Sequence, residues 1–211
     1  MTSRSSHRSC FAAGLVLLLL GAASVSAASP ADDARAAMQR TVDDVLVVLG
    51  DTALPLQAKR DRIQAIAYER FDFVTMSKLV LKRDWRRFDT AQQEEFVTEF
   101  TEHLSARYGE NLGRYENETV EVTRQQTETN GDVTVATVIR GGRFDGTPVN
   151  YRLRNDSEWR VIDVVIENVS LVSSFRKQFA DVLQRSGPSG VLERLKKRNA
   201  DRAAGKIETG G

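Results

Sequence analysis

The hydrophobic period of this chain changes once, and that change sets the class of fold. Up to about Glu118 apolar residues recur every three or four positions; beyond it they alternate with polar ones. A period near 3.6 marks a helix with one buried face and a period of 2 marks a strand, so helices come first and a sheet follows. Ser29-Pro30-Ala31-Asp32 opens the first helix, with Ser as N-cap, Pro at the first helical position and Asp in the first turn. Ala34, Met38, Val42, Val45, Leu46 and Leu49 then recur at helical steps up to Gly50. A second helix starts at Pro55 and carries Ile63 and Ile66 toward Tyr68, and Phe71–Leu81 reads as a short third one. The clearest runs from Thr90 to about Tyr115, with Thr90 and Gln93 as a capping box. Val97, Phe100, Leu104, Tyr108, Leu112 and Tyr115 form its apolar stripe.

Past Glu118, Val120 and Val122 alternate with charged residues, and Asn130-Gly131 is a hairpin turn. Val133, Val135, Thr137 and Ile139 share a face of the next strand. Val149, Tyr151 and Leu153 mark a third, and Trp159–Ile166 is the fourth. Ser170 begins a final amphipathic helix pair, broken at Gly187-Pro188. From Asn199 to Gly211 the chain is polar and expected to be disordered. The expected architecture is α+β: a helical layer packed on one face of a twisted, four-stranded antiparallel sheet.

The start of the chain reads differently. Arg4, His7 and Arg8 precede an apolar run, Phe11 to Leu20, that falls short of the ~20 residues a membrane-spanning helix needs. Small residues and a Val25-Ser26-Ala27-Ala28 site follow, so residues 1–27 are expected to be a secretory signal peptide. Its removal would take the formal charge from +1 to about −1 and leave no general electrostatic pull toward nucleic acid. It would also take the only Cys, Cys10, and leave His103 as the only His. Cys–His nucleophiles, Cys/His zinc sites and disulfides are thereby excluded from the mature chain. Export without cysteine points to a bacterial periplasm.

Little conventional chemistry remains. Gly141–Gly146 lacks the spacing and the Lys-Ser/Thr end of a phosphate loop and reads as a turn. No G-x-S-x-G is present, and His103, at the edge of the long helix stripe, reads as a partly exposed helix-face residue. What stands out is apolar: phenylalanines crowding the helices, tyrosines and Trp159 with polar tips, and valine-rich strand faces. A plain core and an apolar pocket share that pattern.

The order of features resembles the MlaC family of toluene-tolerance auxiliary proteins. The resemblance is carried by Phe71-Asp72-Phe73, Met76, Trp85, Gln93, Phe96, Phe100, Leu104 and Tyr108. It continues in Pro148-Val149-Asn150-Tyr151, Trp159–Val164, Glu167–Val172 with Phe175–Phe179, and Gly190-Val191-Leu192 with Leu195. It spans about residues 31–198. The resemblance implies a fold related to the NTF2-like shape, with an internal apolar cavity, over a domain of residues 28–198. It implies a periplasmic carrier of glycerophospholipid, with no cofactor and the lipid as cargo. Its implied partners are an inner-membrane ABC transporter complex with its MCE-type substrate-binding subunit and an outer-membrane lipoprotein–porin complex. The implied role is to maintain outer-membrane lipid asymmetry, and a monomer suits such transient docking.

On that footing the expected lipid-binding residues are Val133, Val135, Thr137, Ile139, Val149, Tyr151, Leu153, Trp159 and Val161 from the sheet. Phe73, Met76, Phe100, Leu104, Tyr108 and Leu112 are added from the helices, with Tyr108 and Tyr115 at the mouth. Arg143, Arg152 and Arg154 are expected to give the sheet a basic outer face. Two other readings stay open. One is an isomerase or hydratase using Asp163 with Tyr115 or Tyr151; the other is a periplasmic adaptor whose apolar groove takes a partner helix.

Overall fold

The structure, a computed structural model, describes residues 29–206. The expected signal peptide over residues 1–27 lies outside that range. Helix α1 (Pro30–Gly50) begins as its sequence dictates: Ser29 Oγ accepts a hydrogen bond from the Asp32 amide, and the Asp32 carboxylate accepts one from the Ser29 amide. Its buried face, with Ala34, Met38 and Val42, lies on the first strands. Arg35 ties it there by donating to the Val122 carbonyl at 2.8 Å and to Gln125 Oε1 at 3.0 Å.

Helices α2 (Leu56–Arg70) and α3 (Phe73–Leu81) follow, α3 capped by the Asp72 carboxylate, which accepts from the Thr75 amide. A 3₁₀ turn over Lys82–Arg87 leads to α4 (Thr90–Gly109). The capping box of α4 is Asp89 with Gln92, not Thr90 with Gln93: each of the first pair accepts the other's amide hydrogen. Asp is a stronger cap than Thr, and taking it as N-cap moves the box back one residue. The displaced Gln93 side chain instead donates to the Trp85 and Phe88 carbonyls, fastening the 3₁₀ turn. Helix α4 also stops six residues short of Tyr115. At Gly109, a poor helix former, the chain tightens into a 3₁₀ turn over Glu110–Arg114.

The sheet is an antiparallel meander in sequential order: β1 (Thr119–Thr127), β2 (Val133–Arg140), β3 (Pro148–Asn155), β4 (Trp159–Ile166) and β5 (Val169–Ser170). The fifth strand adds to the four expected. Glu167 and Asn168, at φ 48° and 67°, make a two-residue turn that pairs Ile166 with Val169 and Val165 with Ser170. Two residues are too few for alternation to reveal. Helix α5 (Leu171–Ala203) starts at once, Ser170 Oγ accepting from the Ser173 amide, and bends where Gly187 leaves helical geometry before Pro188. It does not fray at Asn199 as expected but continues to Ala203.

Two apolar cores result. One holds α3, α4 and α5 together around Phe88, Phe96, Phe100, Phe175 and Phe179. The other lies between α1 and the sheet, around Met38, Val133, Val135, Leu153 and Val161. Helix α4 makes its main contacts with α5, α3 and α2, not with the strands. Beside β2, the Gly141–Gly146 turn closes over Glu118, whose buried carboxylate accepts from the Glu116 amide. Gly142 has φ +60°, and a methyl group there would overlap the Glu118 side chain. Gly142→Ala is therefore expected to cost about 1–3 kcal/mol in urea unfolding. The Glu118→Ala background should return the steric part of that loss.

Candidate functional site

The site is built where the two cores meet. Phe71 packs against both, held by the hydrogen bond from the next amide, Asp72, to the Val161 carbonyl. At the margins of the two cores some apolar side chains are only partly buried. Phe73 and Tyr108 flank the helical core, and Ile139, Tyr151 and Trp159 flank the sheet core, all half-buried. Tyr151 is the most informative. Desolvation pushes its hydroxyl up to about 12, yet the side chain keeps accessible surface. The hydroxyl is thus desolvated while part of the side chain stays accessible at the margin of the sheet core. No hydrogen bond joins its hydroxyl to another described residue, although a buried tyrosine usually finds a partner.

At the far end of α4 an opening lies in the surface. Leu49, Leu54, Leu56, Lys59, Leu112, Gly113 and Tyr115 line a pocket of about 270 Å³. It joins the end of α1, the start of α2 and the 3₁₀ turn after α4. Helix α2 itself has no buried residue, so it covers this side without entering either core.

The sixteen positions expected from the sequence divide sharply. Phe73, Tyr108, Leu112, Tyr115, Ile139, Tyr151 and Trp159 are half-buried; Leu112 and Tyr115 line the pocket and the other five lie at the margin of one core or the other. Met76, Phe100, Leu104, Val133, Val135, Thr137, Val149, Leu153 and Val161 are closed core, several at 0 or 1% exposure. A ligand reaches these nine only if the layers part. Sequence reasoning missed Leu49, Leu54, Leu56, Lys59 and Gly113 of the pocket lining. The available signal was the pair of leucines, Leu54 and Leu56, flanking Pro55 at the turn into α2.

Two polar expectations are corrected, and the enzyme alternative loses its proposed geometry. Asp163 does not face the interior beside Tyr151: it pairs with Arg152, on the opposite face of β3, at 3.9 Å. Its buried carboxylate accepts from Ser170 Oγ at 2.6 Å and the Val172 amide at 3.1 Å, anchoring the start of α5. Two of the three arginines expected to make the sheet's outer face basic have acidic partners. Arg154 makes a two-pronged pair with Asp132, Arg152 meets Asp163, and Arg143 lies over the Phe144 ring. His103 is not partly exposed but 2% exposed, its Nδ1 against Asn199 Oδ1 and its ring edge-on to Phe175. Among the described residues no three His, Cys, Asp or Glu side chains converge as metal ligands, and no helix is long and apolar enough to cross a membrane.

Residues 39–197 match the family described as MlaC protein. The chain belongs to the MlaC family. Its likeness to the toluene tolerance protein ttg2D of Pseudomonas putida is 30% identity over 114 residues, 53% of each chain, so the match spans about half the length of that curated relative. The MlaC fold seen here is also similar to a solved phospholipid-binding protein from Ralstonia solanacearum, determined in complex with a phospholipid. The two superpose with a TM-score of 0.73 at 28% identity, covering 81% of this chain and 99% of that one.

Proposed function

We propose that this chain is a periplasmic phospholipid carrier, moving glycerophospholipid between an inner-membrane ABC transporter and an outer-membrane lipoprotein–porin complex and so supporting outer-membrane lipid asymmetry. One observation carries the reading. Two separate apolar cores share only Phe71 and keep half-buried apolar side chains at their margins, in a fold shared with a relative solved with phospholipid bound.

The physical need is clear. Two acyl chains contain roughly 30 CH₂ groups, each costing ~0.8 kcal/mol in water, or roughly 24 kcal/mol together. Spontaneous release over such a barrier happens about once a day. An enclosure for the tails removes that barrier without any covalent step. The pocket of about 270 Å³ is smaller than the ~300–1,000 Å³ of small-ligand sites, so tails need the junction between the cores as well. Side chains such as Ile139, Tyr151 and Trp159 suit that use, since apolar contact tolerates chains of different length.

Protein isolated from a Gram-negative periplasm should yield phospholipid on solvent extraction, identified by mass spectrometry. Tyr151→Trp, which adds bulk at the half-buried margin of the sheet core, should reduce that yield severalfold. Val47→Trp, on a position 74% exposed, should leave it unchanged. Wild-type protein that yields no phospholipid defeats the carrier reading.

A further inference from the structure

The pocket between α1, α2 and the 3₁₀ turn after α4 has apolar walls and a cationic rim. Lys59 is part of its lining, and its ammonium group is held by one backbone acceptor, the Leu49 carbonyl. Arg60 stands beside Gly113, one Nη atom 3.9 Å from where a Cβ there would sit. Its Nε is closed off from solvent without a hydrogen-bond partner.

Three other half-buried arginines have carboxylate partners. Arg154 has Asp132, Arg152 has Asp163, and Arg70 has Asp44 and Glu69. No acidic side chain among the described residues pairs with Lys59 or Arg60, and Asp61 is engaged by Gln57 instead. The helix that carries both cations adds to the imbalance. Its N-cap is Pro55, which gives no side-chain hydrogen bond, and no acidic residue lies in its first turn. The amide hydrogens at that end therefore have no side-chain cap and present the positive end of the helix dipole.

We infer that this rim is an anion subsite, in which Lys59 and Arg60 take the phosphodiester of a phospholipid whose tails run inward along Leu49, Leu54, Leu112 and Tyr115. The inference rests on the carrier reading and adds which end of the cargo is recognised, and by what. A planar guanidinium and a mobile ammonium suit a phosphodiester that must be gripped and released. The head beyond the phosphate stays in water and goes unread.

The test compares two lipids with identical fluorescent tails, phosphatidylglycerol and diacylglycerol, titrated into the delipidated full-length protein. Wild type should bind the phosphate-bearing lipid about tenfold or more tightly. The K59M/R60M variant should bind the two lipids alike, with its affinity for diacylglycerol unchanged. Arg60→Glu, which keeps the Lys59 contact to Leu49, should also lose the preference. Equal binding of both lipids by wild type overturns the anion subsite and leaves the carrier reading intact; binding of neither overturns the carrier reading. A K59M/R60M protein that loses both lipids equally would show the pair to be structural and refute the inference. Inorganic phosphate should compete with phosphatidylglycerol and not with diacylglycerol. Phosphate that stabilises the lipid-free protein without affecting lipid preference would assign the site to the free ion and overturn the inference as stated.

Discussion

Phe100→Ala should lower the unfolding free energy by about 3–5 kcal/mol, the largest loss expected from a single substitution in this chain. Phe100 has no exposed surface. Its ring stacks on Phe96 at 5.6 Å and meets Phe175 and Phe179 edge-on at 5.1 and 6.4 Å. These contacts join α4 to the first turns of α5, so truncation removes apolar burial and leaves a cavity shared by two helices. Relaxation is blocked on every side, since Phe96 and Phe179 also contact each other at 5.8 Å. Phe144→Ala, at a position 37% exposed, is the reference and should cost less than about 0.5 kcal/mol. Urea unfolding followed by far-ultraviolet circular dichroism measures both. A Phe100→Ala loss below about 1.5 kcal/mol would mean that the helical core repacks, and that the two cores do not hold their shapes independently.

The parts of the fold that were legible in the sequence are those with a local physical cause. The α1 cap needs only Ser29, Pro30 and Asp32; the switch to strand needs only the alternation past Glu118; the α5 bend needs only Gly187-Pro188. The parts that were not legible depend on residues distant along the chain. Alternation assigns Val135 and Tyr151 to the same sheet face, but it does not say that the first is sealed while the second stays half-buried. Lys59 and Leu56 meet Leu112 and Tyr115 only because α2 crosses the end of α4. Two of the misjudged features share one cause. His103 is buried because the last turns of α5 return over α4, and Asn199 lies in those turns. Reading residues from Asn199 onward as disordered left His103 with nothing to cover it. Asn199 in fact donates to the Glu99 carbonyl at 2.9 Å and carboxylate at 2.8 Å, so its polarity serves an interhelix clasp and not solvent.

That burial makes stability depend on pH in a window set by one side chain. Desolvation pulls His103 down to about 4, partly opposed by the hydrogen bond to Asn199 and reinforced by Arg202, Arg198 and Arg107. Nε2 is shut off from solvent with no partner, so the neutral ring is the form the fold accepts. The unfolded chain binds a proton near pH 6.5, whereas the folded chain resists it until about pH 4. Between those values the unfolded state carries more protons, so stability falls as pH falls. The contribution is fully present above about pH 6.5 and is lost progressively down to about pH 4. The gap between the two values corresponds to at most about 3 kcal/mol. Below that window the remaining acid loss belongs to carboxylates. In Asp132, for example, burial is outweighed by hydrogen bonds from Arg154 and Asn130, and the carboxyl stays below its usual range. Urea unfolding at half-unit steps from pH 4 to 7.5 should show the decline in wild type and a nearly flat profile in His103→Gln, which keeps a neutral partner for Asn199 without a titrating ring. Equal slopes in the two proteins would place the acid sensitivity elsewhere and contradict a buried, neutral His103 between α4 and the end of α5.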